Sequence, residues 1–337
     1  MIRFALYGCG VISGTHARAL VDVEGAELIA CADLNPASAE TFAEKHQIQA
    51  LPDWNALLQN PDIDAVCICT PSGTHAPLAI EALNAGKHVV LEKPMGLTVA
   101  QCDDIIAAAE KSNKHITVIS QLRTEPDIIR AKELIESGAL GKIIMAQLHM
   151  CYYRPESYFM GSWRGTKAMD GGGALMNQGI HGVDLLLYLA GDVKSVYAVS
   201  KTLVRDIEVE DTLSAVLEFQ SGATGVIQAT TSVYPGYPRR LDLNGDKGSI
   251  TLEEGSVVKW DIQNNTKQDI VLQPTMFSSA ATPTAISVDN HRKQFADVIR
   301  ALKTGTKPLI DIYEGRRPVD LILAIYKSAE EHRVIDL

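Results

Sequence analysis

The sequence predicts an α/β fold in two parts: a doubly wound parallel sheet, then an α+β domain built on a largely antiparallel sheet. Three observations carry this. Short apolar strands alternate with helical periods through the first third of the chain. The turn Gly8-Cys9-Gly10 joins the first strand to the first helix. After about residue 120 the pattern becomes mostly strand. Strands that alternate with helices and read as near-continuous apolar runs belong to a parallel sheet covered on both faces.

In chain order, Ile2–Tyr7 reads as a strand, Val11–Val21 as a helix and Glu27–Ala32 as a strand. Pro36–His46 starts like a helix, with Asn35 placed as its cap and Pro36 at the first helical position. Ala65–Cys69 is a continuous apolar strand, followed by a helix Thr74–Ala85 that Gly86 closes. His88–Leu91 is a strand, Thr98–Lys111 a helix and His115–Ser120 a strand. A helix Asp127–Ser137 ends at Gly138. Strands follow at Lys142–Cys151, Val193–Leu203, Thr212–Phe219 and Thr224–Ser232. Shorter ones are expected around Arg240–Leu243, Ser249–Leu252, Val257–Trp260 and Asp269–Leu272. Ser221-Gly222 and Asn244-Gly245-Asp246 supply turns between some of them. One helix, Ala174–Leu189, interrupts this region, and amphipathic helices near Val288–Leu302 and Tyr313–His332 close the chain. Pro274–Pro283, rich in Ser, Thr, Ala and Pro, is expected as a surface loop.

Composition narrows the function. At 337 residues and 46% hydrophobic, the chain is long and apolar enough for about two cored domains, not a disordered or fibrous protein. Its net charge of −10 with no Lys/Arg run argues against nucleic acid and anionic membranes as partners. No stretch approaches the ~18 apolar residues of a membrane span. The start, Met1-Ile2-Arg3-Phe4, lacks the order of a signal peptide. The six cysteines have no framework spacing and read as reduced thiols, so a cytoplasmic location is expected. Cys67-Ile68-Cys69 lies in an apolar strand with no second ligand pair nearby, so no metal is expected.

Gly8-Cys9-Gly10-Val11-Ile12-Ser13 has the spacing of a dinucleotide turn. The first glycine permits the tight turn, and the second lets the backbone approach a pyrophosphate at the helix N-terminus. Ser13, at the third-glycine position, is small enough for helix and strand to pack. Asp33 ends the second strand, where a carboxylate accepts hydrogen bonds from a ribose and repels a 2′-phosphate. No Arg follows within Leu34–Ala39, which favours NAD over NADP. In an open α/β sheet ligands bind beyond the carboxyl ends of the strands. That places the loop Thr70-Pro71-Ser72-Gly73-Thr74-His75 and the turn Glu92-Lys93-Pro94 at the same crevice.

Lys93 there can hydrogen-bond a substrate hydroxyl and help move its proton. A second constellation is Gly171-Gly172-Gly173 followed by Asn177, His181 and Asp184. Three glycines let the backbone come close to something, and the three polar residues share one face of a helix. Tyr152-Tyr153-Arg154 and Trp163-Arg164-Gly165-Thr166 pair aromatic faces with guanidinium donors, which suits sugar rings and anionic groups.

Gly8-x-Gly10 with His16, Thr70-Pro71…His75, Glu92-Lys93-Pro94 and Gly171-Gly172-Gly173…Asn177…His181 resemble, in order and spacing, the glucose–fructose oxidoreductase / inositol dehydrogenase / MocA family. The resemblance covers essentially the whole chain. It implies an N-terminal Rossmann domain, a C-terminal domain whose large open sheet often forms an oligomer interface, and hydride transfer between nicotinamide and a sugar or polyol carbon. It also implies that Lys93 and His181 flank the reacting hydroxyl. The fourth residue before that histidine is frequently Asp in the family. Here Asn177 cannot be a base, which leaves it to orient substrate or His181 and leaves the general base open between Lys93 and His181. Trp163-Arg164-Gly165-Thr166…Asn177-Gln178-Gly179-Ile180-His181 resembles the branch acting on nucleotide-linked amino-sugar uronic acids.

The resulting expectation is an NAD-binding domain over residues 1–121 and a substrate and oligomerisation domain over 122–337, with the closing helices 288–302 and 313–332 able to pack back on the first. The cofactor is expected at Gly8, Gly10, Val11, Ile12, Asp33, Thr70, Pro71, His75, Glu92 and Lys93. The substrate, a sugar, polyol or nucleotide sugar, is expected at Tyr153, Arg154, Trp163, Arg164, Asn177 and His181. A large one-sided sheet needs covering, so a homo-oligomer, dimer or tetramer, is expected. The alternatives are a non-catalytic dinucleotide sensor and an enzyme that keeps its cofactor while cycling between two substrates. A sensor would need neither Lys93 nor His181.

Overall fold

The computed structural model describes residues 1–263 and 287–337. The expected strand Asp269–Leu272 and loop Pro274–Pro283 lie outside the described residues. The described chain divides into two compact units: residues 1–121 with 287–319, and residues 122–263 with 320–337.

The first unit holds a six-stranded parallel sheet. Its strands are β1 (Ile2–Tyr7), β2 (Ala26–Ala32), β3 (Gln49–Ala50), β4 (Ala65–Ile68), β5 (His88–Leu91) and β6 (Ile116–Val118). Their order is β3-β2-β1-β4-β5-β6, which reverses direction between β1 and β4. Phe4, Ala5 and Leu6 of β1 and all of β4 are buried, as strands covered on both faces must be. The helices are α1 (Val11–Val21), α2 (Pro36–His46), α3 (Trp54–Gln59), α4 (His75–Asn84), α5 (Val99–Ser112) and α8 (Val288–Thr304). Phe295, Val298 and Ile299 of α8 join the core around Phe4, Leu6 and Leu20. The rings of Phe4 and Phe295 meet edge to face at 5.8 Å.

The second unit holds an eight-stranded sheet of β7 (Ile143–Cys151), β8 (Val193–Lys201), β9 (Thr212–Phe219), β10 (Thr224–Thr230), β11 (Arg240–Gly245), β12 (Gly248–Glu253), β13 (Ser256–Ile262) and β14 (Ile335–Asp336). Its order is β13-β12-β11-β7-β10-β9-β8-β14, antiparallel except for the β7–β10 pair. Burial alternates along β9: Leu213, Ala215, Leu217 and Phe219 point inward, whereas Ser214, Val216 and Glu218 face solvent. The inner face is covered by α7 (Ile180–Ala190), where a Cβ on Gly182 would come within 2.8 Å of Leu148 Cδ1. Remaining helices are α6 (Pro126–Glu136) and α9 (Ile312–Glu331), which runs from one unit into the other.

The fold class is as the sequence predicts. Several details differ, among them these. β3, α3 and β14 were not expected; they are two, six and two residues long, below what periodicity resolves. The single expected helix Ala174–Leu189 is a π-helical turn, Ala174–Gly179, leading into α7. The expected strand Val193–Leu203 stops at Lys201, because the Leu203, Val204 and Arg205 N–H groups turn away to the carboxylate of Asp211.

Candidate active site

In the first unit the dinucleotide turn closes β1 against the end of β4. Gly8 has φ +91°, and a Cβ there would stand 2.9 Å from the Cys69 carbonyl oxygen. Gly10 caps α1 with no side-chain acceptor, so the first N–H groups of the helix are presented to an anion. Val11 beside them is exposed and Ile12 half-buried. The Ser13 hydroxyl donates to the Gly8 carbonyl and fixes the turn. Asp33 accepts from Cys9 N–H at 2.7 Å and from Asn35 N–H at 2.8 Å, which holds its carboxylate beside the turn with a lone pair left on each oxygen. An uncapped helix start, a glycine cradle and a pinned carboxylate fit the pyrophosphate and ribose of a dinucleotide.

Half-buried Thr70 and Pro71 follow β4, and a short 3₁₀ turn delays α4 until His75. The Thr74 hydroxyl does not cap that helix; it donates back to the Pro71 carbonyl at 2.7 Å. His75 is buried, with Nδ1 2.7 Å from the Pro94 carbonyl and Nε2 3.0 Å from that of Thr70. It ties the loop after β4 to the turn that carries Lys93. Glu92 is buried beneath half-buried Lys93. One of its oxygens meets His16 Nε2 at 2.8 Å and the other accepts from Lys93 N–H at 3.2 Å. Burial alone would raise the Glu92 carboxyl, but the His16 bond and nearby positive charge bring it down to about 2. The His291 ring of α8 is tilted 55° to that of His16 with centroids 5.3 Å apart, and burial pushes His291 down to about 4. Among the described residues these three are the one group whose ligand atoms lie within metal-binding reach of each other. Within this cluster only His16 and Glu92 are hydrogen-bonded to each other; His291 Nδ1 meets the Ser287 carbonyl at 3.0 Å, and His16 Nδ1 and His291 Nε2 are buried without a hydrogen-bond partner among the described residues.

In the second unit, half-buried Asn177 and His181 sit on the π-helical turn and at the start of α7. Asn177 Nδ2 donates to Asp170 at 2.5 Å, and the other Asp170 oxygen accepts from Gly165 N–H at 2.8 Å. Asp170 thereby joins the Trp163–Thr166 turn to the helix that bears His181. Arg164 lies over the Trp163 ring at 4.9 Å and over Tyr158 at 4.7 Å. Gln178 bridges the Tyr158 hydroxyl at 2.8 Å and Arg154 at 2.7 Å. Arg154 is 1% exposed and donates also to the Tyr153 carbonyl. Half-buried Tyr153 lies under Arg205, whose guanidinium is 5.5 Å from the ring. Asp184, expected on the His181 face, gives both oxygens to buried Arg123 at 2.7 and 2.9 Å. Sequence reasoning missed Asp170, Tyr158, Gln178 and Arg205. Gln178 lies within the quoted Asn177–His181 motif but was given no task there, and the other three carry no local signal.

Residues 2–120 match the oxidoreductase family with an NAD-binding Rossmann fold, and residues 128–251 the GFO/IDH/MocA C-terminal domain. The chain belongs to the Gfo/Idh/MocA family. As a member it is an NAD-dependent oxidoreductase. Among solved Gfo/Idh/MocA structures, the WlbA dehydrogenase of Bordetella pertussis in complex with NADH and UDP-GlcNAcA is 33% identical, with TM-score 0.91 over 100% of this chain and 97% of that one. The Chromobacterium violaceum WlbA dehydrogenase, also with NADH and UDP-GlcNAcA, is 33% identical with TM-score 0.88 over 100% and 96%. The myo-inositol 2-dehydrogenase of Thermotoga maritima is 28% identical over 100% of this chain and 98% of its own. All six cysteines are free of disulfides, and among the described residues no helix is long and apolar enough to cross a membrane.

Proposed function

We propose that this Gfo/Idh/MocA dehydrogenase acts on a nucleotide-linked sugar acid, oxidising one ring hydroxyl to a ketone as NAD is reduced. The observation that carries the reading is the Trp163–Arg164–Tyr158 stack, tied through Gln178 and Asp170 to the segment bearing Asn177 and His181. A planar guanidinium held between aromatic rings suits a carboxylate or phosphate beside a sugar ring. The 33% likeness to two dehydrogenases bound to NADH and UDP-GlcNAcA supports the same substrate class.

The cofactor, held by Gly8, Gly10, Val11, Ile12 and Asp33 and flanked by Thr70 and Pro71, supplies a hydride acceptor. Lys93 hydrogen-bonds the reacting hydroxyl, and Lys93 or His181 takes its proton as the carbonyl forms. Asn177, oriented by Asp170, positions the sugar. Glu92 and His75 hold the Lys93 turn. Tyr153 and Trp163 offer faces to the rings, Arg164 meets the anionic group, and buried Arg154 supports them through Gln178. The exposed residues Tyr197, Val199 and Val216 on the outer sheet face support a homo-oligomer, and six free cysteines support a reducing, cytoplasmic setting.

A polyol substrate is the second reading, favoured by the full-length likeness to myo-inositol 2-dehydrogenase. Titration calorimetry of the NAD-loaded protein separates the two. The nucleotide-sugar reading expects binding of UDP alone and tighter binding of UDP-GlcNAcA. Binding of myo-inositol with no heat from either nucleotide would sink it.

A further inference from the structure

Glu210 and Tyr326 clasp the glycine run ahead of His181, and the reaction scheme above gives neither a task. The buried Glu210 carboxylate accepts from Gly173 N–H and from Leu175 N–H, both at 2.8 Å. The Glu210 main-chain carbonyl accepts from Ala174 N–H at 3.0 Å. The Tyr326 hydroxyl donates to the Glu210 carboxylate at 2.8 Å and accepts from Met176 N–H at 3.1 Å. Two residues thus satisfy the N–H groups of Gly173, Ala174, Leu175 and Met176 in succession. These are the groups a helix start otherwise leaves without partners. The next N–H, of Asn177, turns inward to the Gly173 carbonyl at 3.1 Å.

The glycines fit this clasp and no other side chain would. A Cβ on Gly172 would stand 2.3 Å from the Tyr326 hydroxyl, and one on Gly173 would stand 1.9 Å from the Glu210 carbonyl oxygen. The close neighbour that three glycines announce is, at Gly172 and Gly173, the protein itself. The clasp fixes the residue at which the wide π-helical turn Ala174–Gly179 begins. One residue more or fewer in that first turn rotates the side chains that follow it by about 100°. Asn177 and His181 are set by that choice.

We propose that Glu210 and Tyr326 are positioning residues for His181: by fixing the start of the π-helical turn they aim its imidazole, with Asn177, at the reacting hydroxyl. This rests on the reading of His181 as a residue that touches substrate. Tyr326→Phe is the decisive variant, since it keeps the ring and removes only the hydroxyl. It is expected to lower kcat roughly tenfold or more, as misplacement of a catalytic group does, with the KM for NAD⁺ unchanged. The isotope effect on kcat from deuterium at the reacting carbon should rise as the chemical step becomes limiting. Glu210→Gln, which turns an amide NH₂ toward a main-chain N–H, should do the same more strongly. A Tyr326→Phe protein with parental kcat and isotope effect, however much its Tm falls, would reduce the clasp to a structural role and overturn the proposal. The ¹H–¹⁵N signals of the His181 ring give a readout independent of turnover. They should move in Tyr326→Phe while those of His88 and His115 do not. An unmoved His181 signal overturns the proposal even in a protein that oxidises no sugar, whereas that inactivity would instead sink the functional reading.

Discussion

Lys93 is the side chain on which the proposed chemistry turns. Its placement follows from three local facts: a strand end, a following proline and a buried carboxylate accepting from its own N–H. Lys93→Met keeps length and removes the charge, and kcat should fall by about 10²–10⁴, the range for a group that moves a proton. Steady-state rates at saturating NAD⁺ measure it, and unchanged turnover would remove Lys93 from the mechanism. Asp33 is the second residue to which the proposal gives a task. Asp33→Ser should raise the KM for NAD⁺ about tenfold and make NADP⁺ usable, because it removes both the ribose acceptor and the charge facing a 2′-phosphate. A variant still unable to use NADP⁺ would assign the selectivity elsewhere. The local settings of Gly8, Asp33 and Lys93 were legible in the sequence because each is fixed by neighbours in the chain. Asp170, Glu210 and Tyr326 were not, since their partners Asn177, Gly173 and Met176 are brought to them only by the fold.

Among the elements, α2 was legible to the residue from its own start signals. α2 begins at Pro36, and the Asn35 side chain accepts from Ala37 N–H at 3.1 Å. Asn35→Ala should cost about 1 kcal/mol, a typical cap loss, in urea titration. The π-helical turn was misread as plain α-helix, because hydrophobic spacing does not report which carbonyl an N–H selects. That choice is made by Glu210 and Tyr326 from other elements. It also shifts the expected face: Asp184 meets Arg123, which lies in a 3₁₀ turn, Gln121–Thr124, ahead of α6. Both partners are nearly inaccessible, at 1% and 2%. Arg123→Ala would strip the guanidinium from a buried carboxylate, and a loss of about 3–5 kcal/mol is expected. A loss below about 1 kcal/mol would mean that water or another group replaces the guanidinium.

At the scale of the whole molecule, stability should fall as the solution is acidified. Burial holds His291 and His88 at about 4, with Lys114 adding to the effect at His88. In the unfolded chain both would take a proton near 6.5. Between those values the unfolded state binds more protons, so folding weakens as pH falls from about 6.5 to about 4. Glu92, held at about 2 against an ordinary value of 4.5, extends the same loss below pH 4.5. Denaturant midpoints measured from pH 7.5 to 4 should decline once the pH falls below about 6.5; a flat or rising series there would contradict the burial of these histidines. The two-part architecture was legible because alternation of strand and helix, and later of inward and outward residues, is written into the chain. The proposed substrate face was less so, because partners such as Arg205 and Tyr153 are brought together only by the fold.

The most direct test of the account is NADH formation by the purified protein with NAD⁺, measured with UDP-GlcNAcA beside myo-inositol. The account predicts turnover of the nucleotide sugar, with Arg164→Ala raising its KM about tenfold or more and leaving the KM for NAD⁺ unchanged. Turnover of myo-inositol alone, indifferent to Arg164, would contradict it.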